Sequence, residues 1–426
     1  MTSATVTRWS RAFVVVGVAW FVCWNGAVVA GFDRSATVVL GLQGFVFSVV
    51  FGKAYSLVPT YFDRELAFPN AAGAHLLLAT LGTGALFVDA VGGGGPPMEI
   101  VGATAWIGVV GATAWFAGVC VFVGTLGWTV RDNLTGRETA TGEINRHRRR
   151  IDRAANAVVP VVMAYLLAGA ALPALDALGS SPGLLALDAL GTSPGLLALD
   201  ALGTSSALVA PGPAATHVLA AGTATLLVFG IGFRLLPRFF VSTPRPWLVA
   251  VVLPAGALAP ALLAVDFQGG RLFAAGATLQ AVAIVGFAIA VADMYRRTDR
   301  ARIGFHGVLA GAVLGVVAVA LGWGAGVADL DPIVLDAHYR LAVGGFLGLT
   351  IVGVTYQFYP PAIGTAPGVD DRTALASMVL LAVGLTIEAV GIATDAGSIA
   401  GVGAAIALAG AVVYAWILYA LFWQRR

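Results

Sequence analysis

Three stretches of the chain share one pattern: GFVFSVVFGKAYSLVP at 44–59, GTATLLVFGIGFRLLP at 222–237 and GFLGLTIVGVTYQFYP at 345–360. Each has two glycines eight positions apart, an aromatic residue three positions after the second glycine, and a proline seven positions after it. A terminal proline is tolerated where a helix reaches water, because the lost amide donor is not needed there. The pattern predicts three helices that run in the same direction, each the second of a four-helix unit.

The composition places these helices in a membrane. Hydrophobic residues make up 59% of the chain and charged residues 11%, and the mean hydropathy of +0.89 lies outside the range of soluble domains. The 55 glycines favour close approach of helices within lipid. We therefore expect an all-α polytopic protein whose surroundings are the lipid bilayer. No sequence motif for nucleic-acid binding or nucleotide binding is present.

About twelve apolar runs are long enough to cross a bilayer, which takes roughly 20 residues in a helix. They form a single transmembrane domain, which the shared pattern divides into units of about 1–130, 131–300 and 301–426. The predicted spans are 12–31, 36–59, 70–92, 100–128, 154–172, 214–236, 247–265, 272–294, 303–326, 337–361, 373–394 and 398–423.

The positive charges predict the orientation. With a cytoplasmic N-terminus, all but three of the 24 Lys and Arg residues fall on the cytoplasmic side, the exceptions being Arg34, Arg271 and Arg340. Both termini and the loop 131–153 are then cytoplasmic, and the loop 327–336 faces outward. The composition, with Arg far above Lys, points to a prokaryotic plasma membrane.

A low-complexity segment occupies residues 172–207. It consists of three tandem copies of a 12-residue unit, the middle one reading LLALDALGTSPG. Each apolar run is too short to span and ends at a Gly-Ser/Thr-Pro-Gly breaker. We expect short interfacial helices or turns on the outer surface, in a segment that tolerates length changes.

Twelve helices in three parallel units resemble subunit I of the haem-copper oxidases, a family of three four-helix arcs with pseudo-threefold symmetry. The segment His338-Tyr339-Arg340 resembles the His-x-His of its tenth helix, and His217 begins the sixth span at similar depth. The resemblance implies that His338 is a haem ligand, that His217 is a copper ligand or second axial ligand, and that Arg340 pairs with a haem propionate. The NnrS membrane proteins, which bind haem and copper, are a more distant comparison.

The chain departs from that family at most of its metal ligands. The second span has Val39 where a histidine is needed, Arg340 cannot ligate iron, and the seventh span has no histidine. A second, low-spin haem and a three-histidine copper centre therefore cannot be built in the family's way, and complete oxygen-reductase chemistry is not expected. One haem or one copper ion is the expectation. The alternative is that His217 and His338 only anchor helix ends and that no cofactor binds.

Polar groups inside the spans suggest further functions. Lys53 and Arg234 lie near inner helix ends, where their side chains can snorkel to water. Glu388 is deeper, and a polar or proton-conducting path near it is one hypothesis, with hydrogen bonds between helices as the alternative. The residues considered for that path are Glu388, Asp89, Asp266 and Gln357.

These observations leave two classes of function beside a metal site. One is a transporter or channel for a small solute or for protons. The other is a cofactor-free membrane partner of a respiratory complex, bound to other membrane subunits.

Overall fold

The fold is all-α. A computed structural model describes residues 2–92, 101–179, 211–265, 267, 269–328 and 330–424, and these contain no strand. Within these residues, twelve helices are long and apolar enough to cross a membrane, which confirms the predicted number and positions. They are α1 Ala4–Val29, α2 Arg34–Tyr61, α3 Ala71–Gly92, α4 Trp106–Thr129, α5 Glu143–Gly179, α6 Gly212–Phe239, α7 Pro246–Val265, α8 Arg271–Arg296, α9 Gly304–Val327, α10 Val334–Ile363, α11 Asp371–Ala393 and α12 Gly397–Trp423.

The three helices that carry the shared pattern lie inside the bundle. In an 18-residue apolar window of each helix, 72% of residues are buried in α2, 72% in α6 and 83% in α10. The corresponding shares in the other nine helices run from 28% to 50%. In each of the outer nine helices, half or more of the residues in this window are therefore not buried by protein and can face lipid. The helices α2, α6 and α10 form the core.

Each core helix also contains a π-helical segment of eight residues, which has the same register in α6 and α10 and begins one position earlier in α2. The segments are Val39–Val46 in α2, Val218–Thr225 in α6 and Leu341–Gly348 in α10. π-helical turns are rare and often occur at functional sites. Because such a segment occurs in all three helices, their local backbone conformation agrees with the predicted repeat. The arrangement into three four-helix units stays a prediction.

Aromatic side chains pack between the core helices and against their outer neighbours. Phe45 of α2 lies against Phe21 of α1, with ring centroids 4.1 Å apart, and Phe229 of α6 lies 6.3 Å from Phe346 of α10. Phe45, Phe229 and Phe346 are each at most 2% exposed. Burial of such large apolar side chains stabilises the association of helices through dispersion contacts, since lipid provides no hydrophobic drive between helices.

The connecting loops separate into two faces, as alternating spans require. On what we call the basic face, Arg64 donates to Asp132 at 3.0 Å and Arg148 donates to Thr243 at 3.2 Å. This face carries the loops around 62–70, 130–142, 240–245 and 297–303. On the opposite face, Nη1 of Arg34, the first residue of α2, lies 2.9 Å from Oδ1 of Asp336 at the start of α10.

Two expectations are corrected. Residues 172–179 do not form a separate interfacial turn, because α5 continues through Pro173 to Gly179; the rest of the tandem repeat lies outside the described residues. Arg234 does not snorkel, since it is 2% exposed. Its guanidinium instead donates to Asn156 on α5 and lies 4.2 Å from the ring centroid of Tyr61. An internal hydrogen-bonding partner and an aromatic face thus replace water.

Candidate functional site

The structure brings His217 and His338 together on the face opposite the basic face. Their ring planes are parallel within 5°, and the ring centroids are 6.2 Å apart. His217 directly precedes the π-helical segment of α6, and His338 lies three positions before that of α10. The similar depth inferred from the sequence register is therefore realised as direct proximity.

Both imidazoles are oriented by backbone carbonyls. His217 Nδ1 lies 2.8 Å from the carbonyl oxygen of Pro213, and His338 Nδ1 lies 2.7 Å from that of Ala318 on α9. Because a carbonyl oxygen can only accept, each Nδ1 carries the hydrogen in the neutral ring and each Nε2 keeps its lone pair. This is the tautomer in which a histidine binds a metal through Nε2, with its other nitrogen held by a carbonyl.

A glycine on α9 gives His338 its position. A Cβ added at Gly322 would lie 2.6 Å from both Cε1 and Nδ1 of His338. Residue 322 is one helical turn after Ala318, so a side chain there would cover the carbonyl that His338 uses. The close approach of the ring to α9 therefore depends on glycine at this position.

Arg340 does not face this site, because it is committed to Glu388 of α11. Its Nε donates to Oε1 at 2.7 Å and its Nη2 donates to Oε2 at 2.9 Å, and each side chain is 3% exposed. Both carboxylate oxygens of Glu388 accept from the same guanidinium. A buried bidentate pair of this kind is the interhelical bond that the sequence left as the alternative to a polar path.

Two residues of α1 complete the surroundings of Arg340. Nη2 also donates to Asn25 Oδ1 at 3.2 Å, and the guanidinium carbon lies 4.3 Å from the ring centroid of Trp24. Trp24 Nε1 in turn donates to the hydroxyl of Tyr339 at 2.6 Å. Sequence reasoning missed both residues. The signal for Asn25 was its uncharged amide within an otherwise apolar span.

The other residues considered for a polar path do not gather around Glu388. Gln357 is 17 positions after Arg340 on α10, which places it about 25 Å away along the helix. The Asp89 carboxylate of α3 lies against Gly108 of α4, where an added Cβ would be 2.7 Å from it. Asp266 lies outside the described residues.

The donor set of the site is small. Among the described residues, no group of three or more His, Cys, Asp or Glu side chains could hold a metal ion together. His75 is buried on α3, and its Nδ1 lies 3.1 Å from the hydroxyl oxygen of Tyr55 on α2. His306 lies at the start of α9 on the basic face. Any metal at the paired imidazoles therefore has two protein ligands from this part of the chain.

The arrangement defines an integral membrane protein of the multi-pass helical class with a paired-histidine site near one face. No family model matches the chain, and no curated protein sequence matches it. The resemblance to haem-copper oxidase subunit I therefore rests on the residue pattern alone.

Proposed function

We propose that this membrane protein holds one transition-metal centre, a copper ion or a haem iron, between His217 and His338. The overall architecture would be that of a divergent relative of haem-copper oxidase subunit I that lacks a complete oxygen-reducing centre. Three observations support the architectural part: twelve spanning helices, a core made of the three pattern-bearing helices, and the matched π-helical segments.

The separation of the two rings carries the proposal. Metal–nitrogen bonds of about 2.0–2.1 Å allow two imidazoles on one ion to have ring centres up to about 6 Å apart. The observed centroid separation is 6.2 Å with parallel planes. Two neutral imidazoles with Nδ1 already bonded are suited to copper or iron. Structural zinc, by contrast, takes four protein ligands.

The surroundings fit a bare ion better than a macrocycle. Arg340, which the family resemblance would pair with a propionate, is bonded to Glu388. Val39 and Arg340 stand where the two ligands of a second haem would be, so the residues do not fit a second haem.

Metal loading of the purified full chain tests the proposal. We expect about one Cu(I) per chain, or one haem with a Soret band, and loss of that centre in both His217→Ala and His338→Ala. Gly322→Ala should weaken binding without removing a ligand, because the new Cβ displaces the His338 ring from Ala318. Metal analysis and the absorption spectrum separate the copper case from the haem case.

His306→Ala is the matched control. Its Nδ1 also contacts a backbone carbonyl, that of Ile303 at 3.2 Å, but the residue is exposed at the start of α9 on the basic face. It should bind metal as the unmodified chain does. The proposal would be overturned if the purified chain bound neither copper nor haem when supplied with each. It would also be overturned if the bound centre remained in both His217→Ala and His338→Ala.

A further inference from the structure

A groove of about 400 Å³ opens between α5 and α7 near the basic face. Its walls are apolar, and several of the lining residues are small, among them Ala154 and Ala157 of α5 and Ala250 of α7. This volume falls within the range of sites for small organic ligands, about 300–1,000 Å³. The groove is thus large enough for part of a lipid molecule.

The groove begins near the basic-face ends of α5 and α7 and runs along both helices toward the middle of the spans. It extends from Arg150 to Val158 along α5, about 12 Å, and from Pro246 to Ala257 along α7, about 16 Å. Half of a hydrocarbon core of about 30 Å is a similar length. Trp247, 58% exposed beside the mouth, belongs to the residue type that collects at the interface. The groove therefore matches the depth of one lipid chain in one leaflet.

The mouth of the groove carries a cation without an acidic partner. Arg150 lines the mouth and is exposed, and no described residue forms an ion pair or side-chain hydrogen bond with its guanidinium. The two acids of the adjacent segment are already engaged: Glu143 with Arg149 at 3.1 Å, and Asp152 with Arg238 at 2.8 Å. An anionic group at the mouth would meet a positive potential that the protein itself leaves uncompensated.

We infer that the groove binds one anionic phospholipid, with a chain between α5 and α7 and the phosphate on Arg150. Charge complementarity at the mouth selects the anionic headgroup. Proline at 254 cannot donate to the Ala250 carbonyl on the groove wall, which leaves that oxygen available to a headgroup hydroxyl. Ile144 is 93% exposed in the same basic segment and would enter the headgroup layer beside the lipid.

Native mass spectrometry of the full chain in detergent tests this inference. The chain is mixed with equal amounts of phosphatidylglycerol and phosphatidylcholine of identical chains, and retained lipid is counted. We expect one tightly held phosphatidylglycerol. Arg150→Glu should weaken its retention about tenfold or more, since the substitution removes the attraction between the guanidinium and the phosphate and adds repulsion from a carboxylate.

A second variant separates the groove from general attraction to the basic loop. Ala250→Trp fills the groove from an exposed position and should abolish retention while Arg150 remains. Arg300→Glu, exposed on the basic face, and Ala409→Trp, exposed on α12, are matched controls that should retain the lipid. Equal retention of both lipids, or loss with Arg150→Glu but not with Ala250→Trp, would overturn the inference.

Discussion

Glu388→Gln should destabilise the protein strongly, because it leaves the buried charge of Arg340 without a carboxylate. The glutamine keeps the size of the side chain and one acceptor oxygen, but the bidentate pair at 2.7 and 2.9 Å is lost. Removing one partner of a buried pair costs about 3–5 kcal/mol. Asn25 and the ring of Trp24 remain in contact with the guanidinium and offset part of this. We therefore expect a loss of about 3 kcal/mol.

A double-mutant cycle isolates the pair from other effects of the substitution. Arg340→Met removes the cation and leaves Glu388 buried and unpaired, which should cost a similar amount. The double variant Arg340→Met/Glu388→Gln contains no buried charge at this position. It should therefore be more stable than either single variant, since an ion pair replaced by well-packed neutral groups is often neutral in stability.

Unfolding by sodium dodecyl sulfate in mixed micelles measures these free energies. The exposed pair of Arg34 and Asp336 is the control, because it joins the same end of α10 at 2.9 Å with both side chains 54% exposed. Asp336→Asn should cost at most about 1 kcal/mol. The reasoning would be refuted if Glu388→Gln lowered the free energy of unfolding no more than Asp336→Asn does. It would also be refuted if the loss in the double variant equalled the sum of the losses in the two single variants.

Three further outcomes are expected elsewhere in the molecule. Arg234→Met should cost about 2–3 kcal/mol in the same assay, because it leaves the buried amide oxygen of Asn156 without its charged donor; a cost below about 0.5 kcal/mol would contradict the buried network. The hydrogen bond from Arg64 lowers the pKa of Asp132 in the folded protein. The stabilisation from this loop contact is therefore fully present above the unfolded pKa of about 3.9, and it is lost as the pH falls through the lower folded pKa. Amide protection around residues 132–138, corrected for intrinsic exchange, should fall at acidic pH in the unmodified chain and stay low at all pH values in Asp132→Asn. An external thiol reagent should label a cysteine at residue 190 and spare one at residue 140, and the reverse pattern would invert the predicted orientation.

The twelve spans were predictable because hydrophobic length is a local property of the sequence. The similar depth of His217 and His338 followed from register, since the two residues lie within two positions of each other in the shared pattern, whereas their direct proximity is a finding of the structure. The partner of Arg340 could not be predicted in this way. Glu388 is 48 positions away and Asn25 is 315 positions away, so their meeting depends on which helices are neighbours within the membrane. Depth can be read along one helix, whereas lateral order requires the packed fold.

The π-helical segments could not be predicted either, because they depend on the carbonyl to which each amide is bonded rather than on residue type. They affect functional candidates, since His217 directly precedes the segment of α6 and Arg340, the partner of Glu388, directly precedes that of α10. A π-helical turn rotates the following residues relative to an α-helix. Side chains before and after each segment can therefore meet different neighbours than a regular helix would allow.

The packing in the middle of the bundle limits the size of the ligand that we propose for the paired histidines. Within the α10 segment, a Cβ at Gly344 would lie 3.0 Å from both Leu385 and Trp24, and one at Gly345 would lie 2.9 Å from Leu314. Side chains thus reach the backbone of the core helix directly, and interiors packed so closely lose stability when they are opened. A macrocycle extending from His338 toward the centre would have to displace these contacts. A single ion between two imidazoles 6.2 Å apart needs no such displacement.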